Sequence, residues 1–184
     1  MKASEVLENV AVILGREDLS TYLSEEITDD IAKSERDKKT LVTALNFVLT
    51  ELASDKIRLV TEQTFVTDDG IINLSDFKNK ILKIISVTNR GQKILCELLP
   101  QSLKVLSKGE IKVKYFYLPD KIGFDDDIPR ELSDLQLLSY GTCAEFYLEE
   151  SSVEEALLWR NKFETLLKTR IPIRSKYVKE RRFV

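Results

Sequence analysis

One stretch decides the class of fold this chain can adopt. In Gly109-Glu110-Ile111-Lys112-Val113-Lys114-Tyr115-Phe116-Tyr117, the side chains Ile, Val, Tyr, Tyr alternate with Lys, Lys, Phe. A period of two puts the first set on a buried face and the second outside, as in a half-buried antiparallel strand. Helical periodicity flanks it on both sides. Upstream, Leu41, Ala44, Leu45, Val48 and Leu52 recur at i, i+3, i+4 and i+7. Downstream, Ala156, Trp159, Phe163 and Leu166 or Leu167 share one helical face. Helices, a β region and helices again, in that order, predict an α+β protein.

The remaining elements follow from local signals. Residues 4–14 predict a first helix with Val6, Val10 and Ile13 on one face and Gly15 as its stop. Residues 16–30 are acidic with anchors at Leu19, Leu23 and Ile27, and predict a short helix or an ordered connection. A longer helix is expected over about 31–54, with a nearly all-polar opening half, Ala32 to Lys39. Residues 58–66 are rich in β-formers. Thr67-Asp68-Asp69-Gly70 predicts a hairpin turn that returns the chain through Ile71-Ile72-Asn73. Ser75-Asp76-Phe77 suits a single helical turn, Ile81–Val87 another strand, and Asn89-Arg90-Gly91 a second turn. Beyond it, Ile94, Cys96 and Leu98 alternate with Lys93, Leu95 and Glu97. A helix is expected over about 128–149, with Pro129 in its first turn, an Asp just upstream as N-cap, and Leu132, Leu135 and Leu138 on its inner side. Ser152-Val153-Glu154-Glu155 is a capping box for the last helix, which Pro172 stops. The architecture expected is a helical bundle with a small antiparallel β-structure inserted at about 56–118, forming one domain over residues 1–170. An extended arm follows over 171–184.

The chain of 184 residues contains no histidine. That removes the Ser-His-Asp and Cys-His nucleophile systems and every imidazole metal ligand. Neither a G-x-x-x-x-G-K-[ST] loop nor a G-x-G-x-x-G turn is present to cradle phosphates. Cys96 and Cys143 are far apart in sequence and are expected to be reduced, half-buried small apolar residues. No apolar run approaches the roughly 18 residues of a membrane span, and the first residues lack a signal peptide's apolar core. A cytosolic, non-enzymatic protein without metal or cofactor is expected.

Three constellations remain as sites. Asp125-Asp126-Asp127 would hold Mg²⁺ or Ca²⁺ only if an unusual turn aimed neighbouring carboxylates at one ion, so a helix-capping loop is the preferred reading. Asp68-Asp69-Gly70 lacks the further oxygen ligands of a calcium loop and reads as a turn. Tyr115, Phe116 and Tyr117 beside Lys112 and Lys114 would make a stacking platform for single-stranded nucleic acid. Burial of Tyr115 and Tyr117 in the sheet is the preferred alternative. Trp159 and Phe163, four apart on a helix, read as core.

Charge is unevenly distributed. Residues 168–184 carry seven Lys or Arg against Glu180, a local charge of +6, which leaves –9 on residues 1–167 for a total of –3. In the arm, Arg174, Lys176, Lys179, Arg181 and Arg182 are interleaved with Ile173, Tyr177, Val178 and Phe183. Charges mixed with apolar anchors suit a segment that orders on a partner, either an acidic protein surface or a nucleic acid.

Three blocks together resemble the head-to-tail connector (adaptor) proteins of tailed bacteriophages. The first runs from Glu62 through Leu74-Ser75-Asp76-Phe77 to Ile84-Ile85-Ser86-Val87. The second is Gly109 to Pro119. The third is the helix of Tyr140-Gly141-Thr142-Cys143-Ala144-Glu145-Phe146-Tyr147-Leu148-Glu149 with that of Trp159 and Phe163. The likeness spans most of residues 40–170. It implies a helical bundle with inserted β-structure and no catalytic residue. It further implies a ring of identical subunits, commonly a dodecamer, at the neck of a virion assembled in a bacterial cytoplasm. Such a ring docks on the portal protein, receives a tail or neck protein and lets packaged DNA pass without specific recognition. The docking arm would comprise Ile173, Arg174, Lys176, Tyr177, Lys179, Arg181, Arg182 and Phe183. The alternative is a single-stranded nucleic-acid-binding protein using the Tyr115/Tyr117 strand and the basic tail.

Overall fold

A computed structural model describes residues 1–25, 28 and 30–170. The fold is mixed α+β, with five α-helices and two antiparallel sheets among the described residues. Three helices come first: α1 (Ala3–Ile13), α2 (Glu17–Glu25) and α3 (Ile31–Glu51), the last continuing into a π-helical turn at Leu52–Lys56. Seven strands follow: β1 (Val60–Thr67), β2 (Ile71–Asn73), β3 (Lys80–Asn89), β4 (Gln92–Lys93), β5 (Cys96–Leu98), β6 (Ser102–Val105) and β7 (Gly109–Leu118). Helices α4 (Leu135–Glu149) and α5 (Val153–Arg170) close the described chain.

The helices share one apolar core, in which Val6, Leu7 and Val10 of α1, Leu41, Leu45 and Val48 of α3, Leu138 and Phe146 of α4 and Phe163 of α5 are buried. Apart from Leu7 and Phe146, these are residues that the helical period placed on inner faces; Ile13, expected there too, is only half-buried. Gly15, at φ +67°, ends the first helical segment in the left-handed conformation glycine tolerates best. The connection is the helix Glu17–Glu25, and Leu19 and Leu23 are buried as expected; Ile27 lies outside the described residues. The polar opening of α3 is helical and partly covered. Asp37 is buried and accepts from Arg16 Nη2 at 2.6 Å, tying the start of α2 to α3.

The β region departs from the expectation of a hairpin at 67–70. β1 pairs with β7 along its whole length, Val60 opposite Phe116 and Thr67 opposite Gly109, whereas β2 pairs with β6. Thr67–Gly70 is therefore a corner between two sheets, ordered β1-β7-β3-β4 and β2-β6-β5. The reason lies in the hydrogen bonds at the corner. Thr67 Oγ1 accepts from Gly70 N at 3.0 Å, Asp69 Oδ1 accepts from Ile71 N at 2.9 Å, and Gly70 O accepts from Val105 N at 2.8 Å. The last bond commits the chain to β6. Arg90-Gly91 is a true two-residue hairpin loop, with φ of 48° and 81° and Asn89 paired to Gln92.

Inner side chains of both sheets meet in a second core: Ile72, Leu103 and Val105 from the small sheet, and Val87, Ile111, Val113 and Tyr115 from the large one. Phe77, from the segment after a 3₁₀ turn at Leu74–Asp76, packs edge-on to Tyr115 with ring centroids 5.1 Å apart. The alternation read in β7 holds as far as Tyr115, with Ile111, Val113 and Tyr115 buried and Lys112 and Lys114 exposed, and lapses at Phe116 and Tyr117, which are both half-buried. The alternation read at 93–98 does not describe burial, because Leu95, Cys96, Glu97 and Leu98 are all exposed. Cys96 is thus exposed rather than half-buried, and Cys143 is fully buried; both are free.

The helix expected from 128 starts later. Pro129 precedes a 3₁₀ turn at Arg130–Leu132, and α4 begins at Leu135, capped by Asp134, whose carboxylate accepts from Leu137 N at 3.1 Å. The 3₁₀ turn shifts the inner face, so Leu132, Leu137 and Leu138 are buried while Leu135 is exposed. Pro172 and the arm 171–184, with all eight of its docking residues, lie outside the described residues.

Candidate functional site

The triple aspartate is neither a helix cap nor a cluster. Asp126 Oδ2 accepts from Gly123 N at 2.6 Å, closing the loop on itself, and its backbone oxygen accepts from Ala3 N at 2.9 Å. Asp127 forms an isolated antiparallel bridge with Lys2, and Ile128 N donates to Met1 O at 3.0 Å. The loop thus fastens the first residues of α1, with its carboxylates in solvent. Among the described residues no group of three Cys, Asp or Glu converges in a way that could hold a metal ion. Asp69 belongs to the sheet corner, and the Ile71 N–H, with Thr67, holds its carboxyl below the usual carboxylate range.

The aromatic strand is not a stacking platform on both its tyrosines. Tyr115 is fully buried against Phe77, and burial pushes its phenol above the ordinary tyrosine range. Tyr117 is half-buried between the two cores. Only Phe116, Lys112 and Lys114 lie toward the outer face of β7, where Arg58 rests over the Phe116 ring at 5.3 Å and Lys114 pairs across the sheet with Glu62. That face is mixed in sign.

What the fold leaves open is apolar. At the distal end of the small sheet, Leu95 and Leu106 are neighbours, with Leu106 N donating to Leu95 O at 3.3 Å, and they are 76% and 72% exposed. Leu98 on β5 is 55% exposed. β5 is the edge strand of its sheet, so one row of its backbone N–H and C=O groups has no partner strand. The longer edge strand β1 is more protected. Gln63 Nε2 donates to Asp76 O at 2.8 Å, and Gln63 Oε1 accepts from Lys78 N at 2.9 Å, which lays the 76–78 segment along it. The signal for the open tip was present in the sequence: Leu95 sits in register with the charged Lys93 and Glu97, on the side that alternation assigns to water.

A second open surface lies on α5. Tyr140, Leu158, Asn161, Thr165, Leu166 and Thr169 line a shallow groove of about 510 Å³. Trp159 packs against Tyr140 with ring centroids 5.4 Å apart, and Lys162 Nζ stands over the Trp159 ring at 3.8 Å. Trp159 and Phe163, read as core, behave differently. Phe163 is fully buried, whereas Trp159 is half-buried at the groove's side.

Behind that groove, Arg160 joins three helices. It donates to both oxygens of Glu51 on α3, through Nη1 at 2.8 Å and through a shorter Nη2 contact, and lies 3.8 Å from Glu145 on α4 and 3.2 Å from Glu164 on its own helix. Burial, with Glu51 and Glu149 nearby, raises the Glu145 carboxyl above its ordinary range despite Arg160. Burial also pushes the Cys143 thiol up to about 12, so it stays protonated. Among the described residues no helix is long and apolar enough to cross a membrane. No known family model matches the chain, and no curated protein is significantly similar to it.

Proposed function

We propose that the chain is a non-enzymatic virion structural protein: a head-to-tail connector, or adaptor, subunit of a tailed bacteriophage. Its helices act as a bundle interrupted by a β insertion, the organisation the resemblance implies. Copies of the subunit associate into a ring at the portal vertex, a dodecamer in the usual form of such assemblies. The ring docks on the portal protein and receives a tail or neck protein. DNA passes through without base contacts, since an acidic wall does not hold a duplex.

The observation that carries this reading is the exposed apolar end of the small sheet, Leu95, Leu98 and Leu106 beside the open edge of β5. A lone soluble domain normally blunts such an edge with charge, proline or a covering element. A subunit that spends its working life beside identical neighbours has no such need. The acidic body and the basic, partly apolar arm add a second contact of opposite charge, which would steer docking while Ile173, Tyr177 and Phe183 anchor it. Burial of Tyr115 disfavours the nucleic-acid alternative.

Cryo-electron microscopy of particles containing this protein tests the proposal. A closed ring at the portal vertex is expected, and isolated copies elsewhere on the particle would refute it. Removing residues 171–184 should leave a folded subunit that fails to attach stably to its portal-like neighbour. Normal yields of infectious particles with the truncated protein would exclude the arm as the docking element.

A further inference from the structure

We propose that the exposed tip of the small sheet docks on the α4–α5 turn of a second copy of this chain, so that successive copies join head to tail. This contact rests on the ring reading and deepens it, by naming the two faces that meet. The tip is not the only uncovered apolar end of the molecule. Where α4 gives way to α5, Ser151 N donates to Leu148 O at 3.0 Å and Ser152 N donates to Tyr147 O at 2.9 Å. Ser151 takes a left-handed φ of 62° to make the turn. Leu148 and Val153 are thereby held at one end of the helix pair, and Leu157 follows Val153 one turn on, along the same face. All three are more than half exposed.

The two ends differ in charge. From Glu131 to Trp159 the chain contains no lysine or arginine. Glu149, Glu150, Glu154 and Glu155 are exposed around the helix turn. Glu149 and Glu150 line a groove with Lys33 and Arg36 of α3, which leaves Glu154 and Glu155 as the unbalanced pair. At the tip, Arg90, Lys93, Lys104 and Lys108 are exposed, and Glu97 is the one acidic residue between positions 90 and 108. Glu97 stands opposite Lys104 in the β5–β6 register, and Lys108 lies within electrostatic reach of Asp69. Arg90 and Lys93 remain. Among the described residues, neither they nor Glu154 and Glu155 form an ion pair.

Charge then selects among the possible pairings. Tip against tip would bring together Arg90 and Lys93 of two copies, and turn against turn would bring together Glu154 and Glu155. Like charges oppose both. Tip against turn sets Leu95, Leu98 and Leu106 on Leu148, Val153 and Leu157 inside a rim of opposite sign. The open edge of β5 also has backbone N–H groups without a partner strand. Glutamate carboxylates supply acceptors there, where a bare apolar face would leave buried donors unsatisfied. Because the faces differ, each copy offers one and receives the other, and a contact of that kind closes into a ring when its rotation divides the circle. A few side chains from each copy form a contact at the weak end of protein interfaces. It fills in solution only at high concentration and gains when every copy makes it twice.

Cys96 gives the tip its own probe, since it is exposed on β5 while Cys143 is buried. The full-length parent is mixed with Cys96→Ser/Leu157→Cys, whose accessible thiol lies at the helix turn, and oxidised mildly. Roughly 1 mM protein populates even a contact with a dissociation constant of that order. Disulfides joining the two different chains should form about tenfold faster than with Cys96→Ser/Leu135→Cys, whose new thiol lies at the opposite, exposed end of α4. Each rate is divided by that thiol's reactivity toward a small disulfide. Neither chain alone should link faster than the control. Cys96→Ser/Val153→Cys repeats the test from a second exposed position if Leu157→Cys lowers the urea midpoint. Lys93→Glu in the parent should slow mixed linking about threefold, and Glu154→Lys in the other chain should restore it. Mixed linking no faster than the control from both positions would overturn the contact. So would parent-only linking as fast as the mixture, or a Lys93→Glu loss that Glu154→Lys does not recover. A ring at the portal vertex without this cross-link would keep the ring and discard these faces. The cross-link without a ring in particles would keep the faces and discard the connector reading.

Discussion

Gly141 lies in the middle of α4, where an alanine would ordinarily strengthen a helix by about 1 kcal/mol. Here the opposite is expected. A methyl group on Gly141 would stand 2.8 Å from Val48 Cγ1 and 3.0 Å from Val48 Cγ2 on α3, and 3.0 Å from Phe163 Cε2 on α5. All three atoms belong to fully buried side chains, so none can swing into solvent. Forcing a methylene-sized group into a packed core costs about 1–3 kcal/mol. After the gain in helix propensity, Gly141→Ala should lower stability by about 1 kcal/mol, or roughly 2–4 °C in Tm for a protein of this size. Gly141→Val should cost more, because a branched side chain adds bulk at the same contact.

Equilibrium unfolding in urea, followed together by far-ultraviolet circular dichroism and Trp159 fluorescence, measures the difference. The sharper reading comes from Val48→Ala, which removes both crowding methyls. Alone it should cost about 1–3 kcal/mol through lost burial and a cavity. Combined with Gly141→Ala, it should cost less than the sum of the two by about 1 kcal/mol, since the new methyl enters the space the valine left. A Gly141→Ala protein more stable than the parent by the full propensity gain would refute the close approach of α3, α4 and α5. So would strict additivity in the double variant.

Gly70→Ala should cost about 3 kcal/mol by the same urea assay, because φ is +77° and the new Cβ would lie 2.5 Å from Val105 O, a backbone atom with little freedom. Asp134→Ala should cost about 1 kcal/mol as a lost N-cap, whereas Asp125→Ala should change stability by less than about 0.5 kcal/mol; equal effects would restore the triple aspartate as the cap. Arg160→Met should lower stability by roughly 1–2 kcal/mol, by leaving Glu51, Glu145 and Glu164 facing one another, and added salt should narrow the gap. For Glu145 the sign runs against the usual carboxylate. Burial raises its folded-state pKa, so its contribution is full below the unfolded value and is lost as pH rises through the folded one. Glu145→Gln should therefore gain on the parent at neutral pH, and the advantage should close below about pH 4, as a series of thermal melts across pH would show.

How much of this was legible in the sequence depends on whether an element's identity is carried by its own residues. The stripe Leu41–Leu52, the face Ala156–Trp159–Phe163–Leu167 and the alternation of β7 each encode burial in their spacing, and each is buried as spaced except at Trp159 and at Tyr117, which are half-buried. Partner choice between strands is not encoded in that way. Asp-Gly between two β-rich runs is compatible with a hairpin and with a corner. What selects the corner is Gly70 O accepting from Val105 N, a bond to a residue 35 positions away that no local signal announces. The same holds at 125–135, where several aspartates offered themselves as the N-cap and the 3₁₀ turn at Arg130–Leu132 moved the helix start to Asp134.

Residues that break their own pattern gave the other useful signal. Gly141 in a helix that otherwise favours alanine-like packing marks the crossing of three helices, and Leu95 among charged neighbours marks the open tip. Each violates a local preference, and the fold supplies a reason for only one of them. The helix crossing is satisfied within the chain, because Val48 and Phe163 occupy the space a side chain would need. The tip has no such internal compensation: β5 is an edge, its leucines face water, and no described segment covers them. A local cost without an internal return points outside the molecule. That asymmetry is the reason the proposed contact between subunits is put at the tip of the small sheet rather than at the carboxylate loops.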